Sequence, residues 1–302
     1  MYDYPKNLFE FEELFSSNEA CLEYLARLRW PDGFICPKCG ERKMWQMKNG
    51  RLLCSGCRYQ QYILKGTIFQ DSHIGLKMWF HAMWYICSQK NGVSALGLQR
   101  VLGFGSYRTA WLILHKLRRA MIRPQREKLS GKIEVDETYV GGFREGKRGR
   151  GAEGKRIVLV AAECKGRGTG RIRLLCVDQV NSQCLSNAVS QVIEPGSTIV
   201  TDDWGGYVNL PQLGYIREIQ KINGEILPRC HRVASLLKRW IIGTLQGAIN
   251  PEHLQDYLDE FTFRFNRRKS NSRGLLFYRL LQYAVETEPV TYENIKSTQH
   301  MG

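Results

Sequence analysis

Apolar residues recur at helical spacing through residues 8–30, LFEFEELFSSNEACLEYLARLRW, and Ser-Ser-Asn interrupts them as an internal break or cap. That period disappears in the next stretch, GFICPKCGERKMWQMKNGRLLCSGCRYQQYILKGTIF, which reads as short β-like segments around two Cys-x-x-Cys turns. Residues 73–127 return to a helical pattern. There, GLKMWFHAMWYICSQ suits a packed helix rich in Trp and Met. VSALGLQRVLGFGSYRTAWLILHKLRRAM suits two helices around the break LGFGS, a helix-turn-helix pattern whose second helix starts near Ser106. His73, His81 and His115 sit in aromatic or apolar helical contexts and read as structural.

From residue 131 the period changes to that of strands. KIEVDETYVGG alternates through Ile133 and Val135, FREGKRGRGAEGKR is a Gly, Arg and Lys loop, and RIVLVAAEC and RIRLLCVDQV form a hairpin through KGRGTG. SQCLSNAVSQVIEPG reads as a helix stopped by Pro-Gly, STIVTDDWGGYVNL as a buried strand with an acidic end, and YIREIQ as one more strand. Three helices follow: PRCHRVASLLKRWIIG, PEHLQDYLDEFTFRFNRR and RGLLFYRLLQYAV. The expected order is β-β-β-α-β-α-β-α, a mixed α/β layer architecture and not an alternating parallel one. The stretch after about Glu286 reads as a poorly ordered tail, and no internal repeat is evident.

Composition narrows the function. The 302 residues suffice for two or three compact units, and 43% hydrophobic residues supply a core. No apolar run approaches the roughly 18 residues that span a bilayer. The acidic, interrupted MYDYPKNLFEFEELF is unlike a signal peptide, so a cytoplasmic protein is expected. Lys plus Arg number 44 against 29 Asp plus Glu, a net charge of +15. A soluble chain this basic most often meets nucleic acid, through phosphate attraction and counterion release. The plainer alternative is a merely basic surface.

Four of the ten cysteines form tight pairs, Cys36 with Cys39 and Cys54 with Cys57. Fourteen residues separate the pairs, enough for a hairpin that brings four thiolates to one tetrahedral zinc. Trp45, Tyr59, Tyr62 and Phe69 are expected to cover this small unit. The scattered Cys21, Cys87, Cys164, Cys176, Cys184 and Cys230 read as small buried apolar residues. In the helix-turn-helix segment Arg108, Lys116, Arg118 and Arg119 either border a DNA groove or form a solvated basic face.

Acidic residues fall where strands would otherwise be apolar. Asp136 lies between Val135 and Glu137, and Asp202 and Asp203 close the STIV strand. Buried carboxylates are costly unless paired or bound to a cation, and two from adjacent strands can share Mg²⁺. The alternative is that they are turn or strand-end residues on the surface. On the PRCHRVASLLKRWIIG helix, taking about 100° per residue from His231, Lys238 falls near −20° and Ser235 near +40°. Val233, Leu236, Leu237, Trp240 and Ile241 cluster on the opposite side. His231 therefore lies on a solvated polar face or the wall of an active cleft.

The series Cys-x-x-Cys ribbon, helical segment, EVDETYVGG, VTDDWGGY and SLLKRWIIGT…HLQDYLDEFTFRFNRR resembles the bacterial insertion-sequence transposases of the IS fifteen-ninety-five group, over nearly the whole chain. The resemblance implies a ribonuclease H-like catalytic domain with a DDE-type site. It puts Asp136 and Asp202 at the first two ligand positions, with Asp203 as the reserve. His231 takes the third position, usually Glu, seven residues before the basic Lys238. This is the Asp-Asp-His-Lys variant, and an imidazole there suits Mn²⁺ better than Mg²⁺. The implied domains are a helical segment 1–30, a zinc ribbon 31–70, a helical DNA-binding segment 71–130, the catalytic domain 131–286 and a tail 287–302. The implied activity is metal-dependent cleavage at transposon inverted repeats and strand transfer into target DNA. Phosphate contacts would come from Arg148 and Arg150 of the basic loop and from Lys238 and Arg239. The expected partner is double-stranded DNA, bound by a homodimer or higher assembly in the bacterial nucleoid. A zinc-ribbon regulator and a nuclease without strand transfer are the rival readings.

Overall fold

Polar side chains mark where the first helices begin. In a computed structural model, which describes residues 4–47, 50–123, 126–141, 155–220, 226–247 and 249–296, Asn7 caps α1 (Leu8–Leu14) and Ser17 caps α2 (Asn18–Arg29). The Ser-Ser-Asn break is the junction between these two helices. The described residues form two compact units, one from residues 4–123 with 270–296 and the other from residues 126–269.

In the first unit, β1 (Met44–Gln46), β2 (Arg51–Cys54) and β3 (Gln60–Tyr62) make an antiparallel sheet in that order. Leu52 and Cys54 point inward and are fully buried. Phe69 is buried as expected, but Trp45 is 57% and Tyr62 39% exposed, so neither covers the ribbon. The residues alternate across the sheet, and these two fall on its outer face. Helices α3 (Leu76–Ser88), α4 (Ala95–Leu102) and α5 (Tyr107–Ala120) follow. Gly103 closes α4 with φ 67°, a left-handed conformation that favours glycine, and Ser106 caps α5.

The second unit is built on five strands, β4 (Lys132–Val140), β5 (Arg156–Lys165), β6 (Gly168–Val177), β7 (Thr198–Thr201) and β8 (Ile216–Ile219), in the order β6-β5-β4-β7-β8. β4, β5 and β6 are antiparallel neighbours, whereas β7 runs parallel to both β4 and β8. Between β6 and β7 lies α6 (Ser182–Val192), and after β8 come α7 (Pro228–Leu245) and α8 (Leu254–Asn266). Two 3₁₀ turns, Gly205–Tyr207 and Pro211–Leu213, join β7 to β8 in the stretch that was read as the acidic end of a strand. Paired glycines and a proline do not sustain an α-helix there. The order is therefore β-β-β-α-β-β-α-α. Ile133 and Val135 join the core under α6, and Val160, Leu174, Val233, Leu237 and Ile241 fill the core under α7 and α8. This mixed sheet, covered by helices on both faces, is the ribonuclease H-like class expected.

The chain then returns to the first unit with α9 (Arg273–Glu286) and α10 (Tyr292–Lys296). α9 was expected to close the catalytic domain. Instead its Phe277 sits among Phe11, Phe15, Phe80 and Trp84, with ring centroids 5.5–5.8 Å away. A Cβ on Gly274 would lie 1.5 Å from the Pro5 carbonyl oxygen, so α9 needs glycine where the N-terminal segment crosses it. The stretch read as a poorly ordered tail contains α10, whose Ile295 is fully buried and whose Tyr292 ring lies 3.7 Å from the Arg108 guanidinium. Among the described residues, no helix is long and apolar enough to cross a membrane.

Candidate active site

Alternation along β4 sorts its side chains between two environments. Ile133 and Val135 enter the core under α6, while Glu134 and Asp136 turn toward α7. β4 pairs in parallel with β7 at Lys132–Thr198, Ile133–Ile199 and Glu134–Val200. Extending that register two residues sets Asp136 beside Asp202, at the point where β7 ends. From α7, His231 Nε2 reaches Asp136 Oδ2 at 3.4 Å.

Burial pushes the Asp136 carboxyl up to about 6, helped by the negative charges of Glu137 and Asp202 and opposed by the Glu137 N–H and His231. Such a site disfavours its own negative charge until a cation enters. The donors are two carboxylates and an imidazole, a set that holds Mg²⁺ or Mn²⁺. Their ligand atoms do not all lie within 4.8 Å of one another. A two-metal site is wider than a single tetrahedron, with its ions roughly 3.5–4 Å apart.

The surrounding chain fixes these three groups. Helix α7 starts at Leu227 in a left-handed conformation, φ 48°, with no side-chain cap of its own. Glu134 on β4 serves instead. Its carboxylate accepts the Arg229 N–H at 2.7 Å and the Cys230 N–H at 3.1 Å, the donors an N-cap side chain normally satisfies. It also accepts the Arg229 guanidinium at 2.6 Å, and Arg229 continues to the Gly166 and Gly168 carbonyls of the β5–β6 turn. On the other side, Arg217 of β8 donates to the Asp202 and Trp204 carbonyls at 3.1 and 2.9 Å, and the Trp204 N–H donates to Asp202 Oδ1 at 3.2 Å. Glu137 accepts from Tyr207 Oη at 2.9 Å on the opposite face of the strand.

Asp136, Asp202 and His231 thus come together. Asp203 is exposed, and it is Asp202 that stands among the leading charges acting on Asp136. Ser235, Lys238 and Arg239 are exposed on α7, opposite buried Val233, Leu237 and Ile241. Lys238 sits seven residues beyond His231, about 10 Å along the helix. Sequence reasoning passed over Glu134 and Arg217. Glu134 carried a signal, since it and Asp136 are carboxylates two apart on one face of a strand with apolar neighbours.

The four cysteines of the ribbon form a separate candidate metal site in the first unit. Their sulfurs lie within 4.8 Å of one another, with Cys36–Cys57 at 3.6 Å and Cys39–Cys54 at 3.5 Å. Sulfurs on a tetrahedral zinc stand about 3.8 Å apart, so the geometry suits that ion. The thiols share their protons unequally: the Cys57 N–H draws the Cys54 thiol down to about 7 despite burial, while, against the Glu41 N–H, hydrogen bonds from the neighbouring cysteines push Cys39 up to about 12.

Two expected DNA contacts are corrected. Lys116 and Arg118 are buried, not part of a solvated face. Lys116 Nζ donates to the Ile68 carbonyl at 3.3 Å, and Arg118 lies 3.3 Å from His115 Nε2. Ile113 through Arg118 are all buried, so α5 is an internal helix along this stretch. Arg108 stays exposed and Arg119 half-buried. Arg148 and Arg150 lie outside the described residues. Cys164 and Cys184 are half-buried and Cys176 is exposed, so only Cys21, Cys87 and Cys230 of the scattered cysteines are core residues.

Comparison with known proteins agrees with this anatomy. Residues 128–266 match the family described as ISXO2-like transposase domain, and residues 16–60 match the transposase zinc-ribbon domain of the same IS1595 group. An uncharacterized protein in transposable element ISH50 of Halobacterium salinarum is 26% identical over 281 residues, covering 83% of this chain and 91% of that one. The catalytic core domain of BIV integrase overlaps 48% of this chain and 89% of its own, at 15% identity and TM-score 0.33. A pre-cleavage Mos1 transpososome overlaps 70% and 79%, at 11% identity and TM-score 0.28. The fold assignment rests on strand order and not on these two overlaps. The chain thus carries, in order, the zinc-ribbon domain and the transposase domain of the IS1595 group of insertion-sequence transposases.

Proposed function

We propose that the protein cuts DNA at the ends of its own element and joins the freed end to target DNA, using Asp136, Asp202 and His231 as one metal-binding site. The observation that carries this reading is the convergence of these residues from β4, the end of β7 and α7, with Asp136 to His231 at 3.4 Å. A divalent metal held there supplies charge neutralisation at the scissile phosphate. Asp136 and Asp202 hold the negative charge that retains the metal, and His231 adds a neutral donor. Lys238 and Arg239, exposed on the same helix, grip flanking phosphates. In the first step a water oxygen forms a bond to phosphorus and the bond to the 3′ oxygen breaks, leaving a 3′-OH. In the second, that hydroxyl oxygen attacks a target phosphodiester, and the target's 3′ oxygen leaves. The zinc ribbon and exposed Arg108 contribute to end recognition, and two copies act together to join two ends.

The test is incubation of purified protein with labelled inverted-repeat DNA, target plasmid and Mn²⁺, beside Asp136→Ala. Cutting and joining by the wild type alone are expected. Cutting without joining makes the protein a nuclease, and binding without cutting makes it a regulator.

A further inference from the structure

We propose that the outer face of the three-stranded ribbon sheet is a stacking platform for unpaired nucleotides. Trp45 pairs with Leu53, and Arg51 pairs with Tyr62. Directly opposed residues share a face, and neighbours along a strand alternate. Leu52 and Cys54 therefore take the inner face, where both are fully buried, and Trp45, Arg51, Leu53 and Tyr62 take the outer one. Trp45 is 57% exposed, Met47 beside it 48% and Tyr62 39%. The Arg51 guanidinium lies 5.0 Å from the Tyr62 ring centroid, the arrangement of a cation with a π face.

Charge selects the occupant. Residues 31–65 contain seven Lys and Arg against two Asp and Glu, and one of those acids, Glu41, accepts the Arg42 and Lys43 N–H groups. The segment stays cationic even after four thiolates bind a zinc ion. A second copy of this chain, at +15, brings no matching acidic surface, whereas a polyphosphate does. Among nucleic acids, a duplex hides its base faces, but unpaired bases stack on exposed aromatic rings. β1 and β3 lie about 10 Å apart across β2, room for two or three bases. Cutting a strand at an element's end is a source of such nucleotides.

The inference extends the proposed function without depending on it, because its test reads binding alone. Full-length zinc-loaded protein is titrated with labelled single-stranded oligothymidylate and with a blunt duplex of equal length, at one fixed salt concentration. The variants are Trp45→Ala, Tyr62→Ala, their combination and Trp45→Phe. Both targets are solvent-exposed, and retained zinc verifies that the ribbon is folded. The double variant should lose about tenfold in affinity for the single strand and less than about twofold for the duplex, with Trp45→Phe close to wild type. Equal losses on both DNAs, or no loss on the single strand, would overturn the proposal. A changed sedimentation coefficient with unchanged single-strand affinity would overturn it too, and would make this face a protein interface.

Discussion

Removing the Glu134 carboxylate isolates the geometry on which the candidate site depends. Its side chain is 3% exposed and holds the Arg229 N–H, the Cys230 N–H and the Arg229 guanidinium. Hydrogen bonds to a charged group contribute about 1.5–3 kcal/mol each, and breaking a buried ion pair by deleting one partner costs about 3–5 kcal/mol. These figures do not add in full, because Arg229 keeps two carbonyl partners and the apolar stripe of α7 stays buried. Glu134→Ala should therefore cost about 3 kcal/mol, a fall of roughly 10 °C in melting temperature for a unit of this size. Glu134→Gln keeps an oxygen acceptor but loses the charge, and should cost about half as much. The first turn of α7 carries His231, so the Mn²⁺ concentration for half-maximal cleavage should rise in the same order, Ala above Gln above wild type. Calorimetry and a metal titration at matched folded fraction check both. A loss below about 1 kcal/mol, or an unmoved metal titration, would refute the reasoning that this cap sets the position of His231.

Other residues give shorter tests. His231→Glu should retain cleavage and shift its preference from Mn²⁺ toward Mg²⁺, whereas His231→Ala should abolish cleavage and leave DNA binding intact, both read from metal-dependent cleavage. Removing zinc by chelation, or Cys36→Ser, should unfold the ribbon sheet while the second unit keeps its melting transition, as followed by amide exchange. A Cβ at Gly206 would lie 1.8 Å from the Trp204 ring, so Gly206→Ala should cost about 1–3 kcal/mol. Because Trp204 holds Asp202, cleavage should fall with it.

Local signals were legible where chemistry is encoded in spacing. The paired Cys-x-x-Cys turns, the α7 stripe and the alternation of β4 each state their own geometry, and all three hold in the structure. Long-range decisions were not legible. Nothing local to α9 says that Phe277 joins the aromatic cluster of the N-terminal helices. Lys116 and Arg118 read as surface residues from their charge, yet α5 is internal at that point, a consequence of tertiary packing. Glu134 escaped notice because its partners lie 95 and 96 residues away. That Asp202 neighbours Asp136 is likewise a matter of register, visible once β7 is paired with β4.

The central claim is that Asp136, Asp202 and His231 form one catalytic site and that the neighbouring Asp203 is outside it. Single-turnover cleavage of inverted-repeat DNA in Mn²⁺ by Asp136→Asn, Asp202→Asn and Asp203→Asn, at equal DNA occupancy, tests this most directly. The account predicts that the first two fall by about a hundredfold or more and that the third stays within a few-fold of wild type. Wild-type cleavage by Asp202→Asn, or its loss in Asp203→Asn alone, would contradict it.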